Sequence, residues 1–261
     1  MGQGQETAAA EAIRRATAEG FWLCLGNVHL MLSIVPVIQK ELALAQIHKD
    51  FRLWLTAEAD NHFSPIMLQQ CMKVTFEPPP GIKNNMLRTY GQIEEAKRTA
   101  LTCQSIFVLA WMHALLQERR TYIPQAWTKF YEFSNADVRV ARVLIEQLTG
   151  QGDTDWEFIR GLLQFVIYGG RIESQFDSNV LVSYLNTLFN GQKITGQRGQ
   201  QVASGIEIIT ADNIKEFVNH TAKSIPDEDE PALFGLPANI RFSWQLTEAE
   251  ETVARMRNGD L

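Results

Sequence analysis

Three short apolar runs, Phe21 to Leu25, Phe51 to Leu55 and Met72 to Phe76, have the length and composition of buried parallel strands. The segments between them repeat their apolar positions at helical spacing. An Ala-rich helix from Glu6 to Ala18 is stopped by Gly20, and Ser33 is placed to cap a helix with Pro36 in its first turn and Ile38 and Leu42 beyond. Ser64 and Pro65 open a short helix through Ile66, Leu68 and Cys71, and the third run stops at Pro78, Pro79, Pro80 and Gly81. Strand and helix in alternation predict a parallel α/β layer up to about Tyr90.

Beyond Tyr90 the strand signal gives way to helices. The first, about Arg98 to Arg119, is apolar on most faces and is expected at the centre of a bundle. Ser134 with Asp137, Thr154 with Glu157 and Thr247 with Glu250 have capping-box spacing, so each predicts a helix start. Val138, Val143, Leu144 and Leu148 form a stripe ended by Gly150. Trp156, Ile159, Leu163 and Val166 form another ended by Gly169 and Gly170, and Val180, Leu181, Tyr184, Leu185 and Leu188 a further one ended by Gly191. Gly191 to Gly205 reads as a mobile loop, Ile206 to Ile209 as a short strand, and the acidic run Asp227 to Glu230 as a solvated linker. The fold class predicted is α/β followed by mainly α.

Charge and cysteine content narrow the partners. The 261 residues carry 24 basic and 30 acidic side chains, a net charge of −6, with no basic stripe to displace counterions from a phosphate backbone. Nucleic acid is not expected as a partner. Cys24, Cys71 and Cys103 are odd in number and lack CxxC spacing, which predicts neither disulfides nor zinc, and a reducing compartment. The longest nearly unbroken apolar stretch, Ile106 to Leu116, is interrupted by His113 and is shorter than a bilayer span. With no signal-type apolar region at the N-terminus, no membrane partner is expected.

A parallel layer of this kind often hosts nucleotide hydrolysis, yet the chemistry for it is missing. No Gly, four residues, Gly-Lys-Ser/Thr run is present to cradle phosphates, and Gly2 and Gly4 have no strand before them. Where the first strand would end in an acidic pair holding magnesium, it continues as Gly26, Asn27 and Val28. An amide is a poor substitute for a carboxylate toward that ion. His29, His48, His62, His113 and His220 show no metal-ligand spacing, and no GxSxG run or cysteine–histidine arrangement suggests a nucleophile. No catalytic residue and no metal ligand is predicted.

The run QERRTYIPQAWTKFYEF from Gln117 to Phe133, YGGR at Tyr168 to Arg171 and GLPAN at Gly235 to Asn239 resemble the dynein heavy chain near its C-terminus. The resemblance extends through GNVHL at Gly26 to Leu30, FRLWLTAE at Phe51 to Glu58 and FEPPPG at Phe76 to Gly81, and covers most of the chain. In that family these runs belong to the sixth AAA+ module of the motor ring. The resemblance implies a partial AAA+ parallel sheet with helices over residues 1–92, a helical lid over 93–240 and the start of the connection to a C-terminal domain over 241–261. FRLWLTAE, the IPQ before AWTKFYEFS, and GLPANI are most similar to the cytoplasmic type 2 heavy chain of intraflagellar transport, axonemal heavy chains being the alternative.

The family is a minus-end-directed microtubule motor. The resemblance implies ATP hydrolysis with magnesium elsewhere in the parent ring, and a sixth module that is non-catalytic and binds no cofactor of its own. It implies partners in the neighbouring AAA+ modules, the C-terminal domain and other dynein complex subunits, and no direct microtubule contact. The location implied is cytoplasm and cytoskeleton, in a cilium or flagellum. It also implies that the piece begins after the phosphate loop and ends before the C-terminal domain. Nucleotide binding without turnover and an independent interaction adaptor remain open as other readings.

Two residues are candidates for contact with nucleotide. Arg171, after a glycine pair, has the planar donor fork that senses phosphate; the preferred reading is that it pairs with Glu173 or Asp177 or caps a helix C-terminus. Glu58, with Asp60, follows the C-terminal end of the second strand, where α/β folds place their sites. Trp22, Trp54, Trp111, Trp127 and Phe133 are expected as packing residues, with Lys129 and Arg171 as polar pins. Trp156, Phe130 and Tyr131 are read as core rather than as a peptide-binding surface, and Arg119 and Arg120 as complements to a helix C-terminal dipole rather than as contacts to a neighbouring module or its nucleotide. An unfinished sheet would leave an edge or an apolar face uncovered, so self-association is expected.

Overall fold

The computed structural model describes residues 4–58, 63–74, 77–150, 152–195 and 200–258. They fall in two compact units, Met1–Phe76 and Glu77–Leu261. In the first, α1 (Glu6–Glu19) is closed by Gly20 in the left-handed conformation, φ 81°, its N–H reaching the Ala16 carbonyl. β1 (Trp22–Leu25) and β2 (Arg52–Leu55) pair in parallel, from Trp22 beside Arg52 to Leu25 beside Leu55, with α2 (Ile34–Leu44) between them in sequence. A bidentate pair from Arg14 to Glu41, at 2.7 and 2.6 Å, joins α1 to α2. The short α3 (Pro65–Gln70) follows.

The pleat sends alternate side chains to opposite faces. Leu23, Leu25, Leu53 and Leu55 pack on Ala9, Ile13, Ile34 and Ile38. Trp22 and Trp54 lie on the other face, 69% and 51% exposed, their ring centroids 6.1 Å apart. The expectation that these two tryptophans are core residues is therefore corrected: register places them on the uncovered face of a two-stranded sheet. The third apolar run is corrected too. Cys71 to Val74 form no strand, and Met72 and Val74 are exposed because that segment has no ladder partner among the described residues; Thr75 and Phe76 lie outside them.

The second unit is built on α5 (Ala100–Glu118), buried on every face from Thr102 to Gln117. α4 (Ile82–Tyr90) presents Ile82, Met86 and Tyr90, one helical face, to the same core, and packs on α5 and α10. The unit boundary accordingly precedes α4, earlier than the residue 92 division that the resemblance implied. α6 (Asn135–Thr149) and α7 (Trp156–Gly161) follow, and α7 continues as a π-helical segment, Leu162–Tyr168. Gly169 follows it, at a position where any Cβ would collide with the Gln164 carbonyl oxygen. Then come α8 (Gln175–Leu188), α9 (Gly191–Ile194), the antiparallel pair β3 (Gln201–Ala203) and β4 (Ile206–Glu207), α10 (Ile214–Ser224) and α11 (Ile240–Asn258).

Several local expectations shift. Ser134 and Asp137 form a capping box, whereas α7 is capped one residue later than expected, by Asp155 accepting the Phe158 N–H. Thr247 starts no helix; it sits inside α11, its hydroxyl bonded to the Ser243 carbonyl. Val143 and Val166 are exposed, because the buried faces run through Val138, Ala141 and Ile145 and through Ile159, Leu163 and Ile167. The stretch expected as a loop after Gly191 contains α9 and β3, and residues 196–199 lie outside the described ones. Ala100–Tyr122, longer than the apolar stretch singled out in the sequence, is long and apolar enough to cross a membrane, and 89% of its 18-residue apolar window is buried inside the protein as its core helix.

Candidate functional site

At the C-terminal end of the small sheet the two strands are stitched to each other. Thr56 N–H donates to the Leu25 carbonyl at 3.1 Å, Val28 N–H to the Thr56 carbonyl at 2.9 Å, and Asn27 N–H to Thr56 Oγ1 at 2.9 Å. Asn27 holds φ 55°, the left-handed conformation that Asn tolerates better than most residues. Val28, the second position where an acid would stand, is fully buried in the core of this unit. Glu58 contributes its backbone N–H to His29 Nδ1 at 3.1 Å, and its carboxylate is 85% exposed, 4.0 Å from His29 Nε2. The N–H accepted at Nδ1 leaves the imidazole proton on Nε2. Asp60 and His62 lie outside the described residues.

The second unit concentrates its polar bonding around Arg119. This guanidinium is buried, donating from Nη1 to Tyr184 OH at 2.7 Å and to the Phe234 carbonyl at 2.9 Å, and from Nη2 to the Ala126 carbonyl at 2.5 Å. It also lies 5.2 Å from the Trp127 ring and 5.4 Å from the Tyr184 ring, both within cation–π range. Burial lowers its pKa, and the Tyr184 hydroxyl opposes that effect. Trp127 is fully buried and donates Nε1–H to the Leu116 carbonyl; Gln117 Nε2 donates to the Phe133 carbonyl. Asp177, buried at the start of α8, accepts the Thr128 N–H and hydroxyl and the Tyr131 hydroxyl. The segment from Tyr122 to Phe133 is thus held to α5 and α8 although it has little regular structure.

Arg171 pairs with neither Glu173 nor Asp177. It donates to Asp137 on α6, while Glu173 takes Lys129 at 2.8 Å and Asp177 takes the Thr128 loop. Lys129 and Glu173 are largely exposed, so that pair is a surface contact and not an interior pin. Trp111, Trp127 and Phe133 are buried as expected, and Tyr131 with them, but Phe130 is exposed with the Arg120 guanidinium 5.3 Å from its ring. Arg120 also donates to the Gln117 carbonyl at the end of α5. The acidic run is not free linker: Asp229 accepts the Ile82 N–H at 2.8 Å, and Lys83 donates to Asp227. Among the described residues no group of three His, Cys, Asp or Glu side chains is placed to hold a metal ion.

The runs QERR, AWTKF and the segment leading into GLPAN therefore meet at one buried cation. Residues 102–240 match the dynein heavy chain AAA lid domain, and residues 1–75 match the dynein heavy chain region D6 P-loop domain. The chain belongs to the dynein heavy chain family. It is 59% identical over 257 residues to cytoplasmic dynein 2 heavy chain 1 of Caenorhabditis elegans and 43% identical over 267 residues to that of Homo sapiens, in each case over 98% of this chain. Dynein axonemal heavy chain 2 of Mus musculus is 31% identical over 258 residues, 95% of this chain. The chain spans about 6% of the length of these heavy chains.

Within this dynein segment, sequence reasoning placed Arg119 at a helix dipole, with a contact to a neighbouring module or its nucleotide as the lesser reading, and missed its three acceptors. The available signal was a charged residue directly after a nineteen-residue, mostly apolar helix and eight positions before a tryptophan. Asp137 was recognised as a cap and not as the Arg171 partner. Such pairings are made between distant segments, 34 residues apart here, and no local pattern specifies them.

Proposed function

We propose that this chain is a non-catalytic structural segment of the motor ring of a dynein heavy chain, comprising the end of the sixth AAA+ sheet and its lid. It passes conformational change between ring neighbours in an ATP-driven, minus-end-directed microtubule motor of intraflagellar transport. ATP and magnesium act in other modules of the parent chain, in the cytoplasm and at the cytoskeleton of a cilium or flagellum. Its partners are the adjacent AAA+ modules, the C-terminal domain and other subunits of the dynein complex.

The observation that carries this reading is at the end of β1, where Asn27 turns the backbone left-handed and Val28 is committed to the core. These residues do not fit a magnesium nucleotide: one acid position is an amide and the other a buried isopropyl group. The names of the relatives support the intraflagellar class, since the cytoplasmic dynein 2 chains share more identity with this one than the axonemal chain does. The mechanical role rests on the Arg119 node, because a lid cross-tied at its centre moves as a body and shifts between discrete arrangements.

Calorimetric titration of the chain with ATP and with ADP, magnesium present, tests the first part. No saturable heat is expected, and saturable binding would replace this reading with a nucleotide-binding module without turnover. In the full heavy chain, Trp127→Ala is expected to impair ATP-driven motility. Intact folding together with intact motility would overturn the mechanical role.

A further inference from the structure

The N-terminus of α4 is held by two carboxylates that come from far along the chain. Glu118, the last residue of α5, accepts the Gly81 N–H at 2.9 Å and Asn85 Nδ2–H at 2.7 Å. Asp229, in the acidic run before α11, accepts the next amide, Ile82 N–H, at 2.8 Å through Oδ2, and its Oδ1 is buried without a partner. Gly81 has φ +93°, outside what a side chain tolerates, and this backbone turns two successive amides toward two different acids. Asn85 and Asn84 donate back to the Pro79, Pro80 and Gly81 carbonyls, so the turn entering α4 is closely specified.

A helix N-terminus carries roughly half a positive charge, which favours one nearby anion and not two. Burial draws the Glu118 carboxyl up to about 7, and the Asp229 charge adds to this against the Gly81 N–H, Arg120 and Asn85. Asp229 is raised as well, by burial, with the Ile82 N–H opposing. Among the described residues, other charged and titratable groups near the pair are Lys83 on α4, engaged by Asp227, and Tyr122, which feels both acids and Arg241 of α11. Of these cations only Arg120 counts among the causes that lower Glu118.

We propose that Glu118 and Asp229 form a proton-sensitive clasp: with Glu118 protonated the acidic segment before α11 is locked onto the start of α4, and ionisation of Glu118 loosens it. The clasp rests on these contacts and on the burial of both acids, and stands apart from the motor-ring reading. It assigns the acidic run a conformational task, joining two ends of the lid 147 residues apart in sequence.

Amide hydrogen exchange on the chain, corrected for intrinsic rates, tests it at about pH 6 and about pH 8. Protection of Gly81 and Ile82 is expected to fall roughly tenfold between the two, while α6 amides hold steady. Glu118→Gln keeps an acceptor without a charge, and is expected to retain high protection at both. Equal protection of Gly81 and Ile82 at both pH values in the unmodified chain, or an undiminished fall in Glu118→Gln, would overturn the clasp. Should that variant not fold, a carboxyl NMR titration of the unmodified chain decides. A Glu118 midpoint near neutrality, lowered by Asp229→Asn, supports the clasp, and an ordinary glutamate midpoint refutes it.

Discussion

Arg171 donates from Nη2 to Asp137 Oδ1 at 2.8 Å, and the other oxygen of that carboxylate accepts the Ser134 N–H at 2.7 Å. One acid thus closes the start of α6 and anchors the turn that follows the π-helical segment. An arginine with phosphate-sensing chemistry is here committed to a helix cap. Asp137→Ala removes the cap and leaves the arginine unpaired, at an expected cost of about 2 kcal/mol. Arg171→Ala, on a side chain 44% exposed, should cost less than about 1 kcal/mol. Urea unfolding of the two variants checks the order, and equal losses would show that the capping bonds contribute nothing beyond the pair.

Removing the Arg119 guanidinium orphans the Ala126 carbonyl and takes a donor from Phe234 and Tyr184, in a site closed to water. Arg119→Ala is expected to destabilise the chain by about 3–5 kcal/mol. Arg119→Lys should recover little of this. A lysine ammonium has no planar fork to span two carbonyls and a hydroxyl, nor a flat face to lie on Trp127. Thermal unfolding of both variants measures it, and a lysine variant close to the unmodified chain would contradict the geometry.

The Trp127 indole fills the centre of the lid and ties itself to α5 through Leu116. Trp127→Ala should cost about 3–5 kcal/mol, the range for truncating large buried aromatic side chains. Trp22→Ala and Trp54→Ala, on the open face of the first unit, should each cost less than about 1 kcal/mol. Comparable losses at Trp22 and Trp127 would mean that the sheet face is covered in solution.

Asn27 sits at positive φ, so Asn27→Gly should be nearly neutral while Asn27→Val should cost more than about 1 kcal/mol. Asn27→Asp restores an acid at the end of β1 but leaves Val28 in the core. It is expected to confer no magnesium-dependent nucleotide binding in calorimetry.

Two buried groups impose opposite pH dependence. Burial lowers His113 to about 3 from 6.5, so the stability it contributes is complete above 6.5 and is lost as pH falls below that value. Glu118 is raised from 4.5 to about 7, so the stability it contributes is present at low pH and is lost as pH rises across that window. Each slope is up to about 1.4 kcal/mol per pH unit, and between 4.5 and 6.5 they oppose each other, with Asp229, also raised, on the side of Glu118. The unmodified chain should show a slope there between those of the two variants that follow. His113→Phe should lose stability with rising pH and Glu118→Gln should gain it, as urea unfolding at several pH values would reveal.

Hydrophobic spacing alone was enough to place β1, β2, α1, α2, α5 and α8, because each has a long stripe or a clean stop such as Gly20 or Gly191. It misread Met72 to Phe76, where an apolar run without a layer to pack against forms no strand over its described residues, Met72 to Val74. It also passed over α4 and α10, whose apolar residues are too few to stand out among polar neighbours. The candidate nucleotide residues were legible as types and not as partners.

Residue identities by themselves determined that the chain lacks a phosphate loop and an acidic pair after its first strand, since chemistry of that kind depends on which side chains are present. They also determined the central helix, because nineteen consecutive positions so poor in charge have nowhere to go but inside. Only the tertiary structure decided that Arg119 is the hub of the lid, that Arg171 belongs to Asp137, and that Asp229 closes on α4. Each of those bonds joins segments that approach only after the core has formed. The energy of a buried charge is set by the neighbours around it in space, and those are not adjacent in the chain.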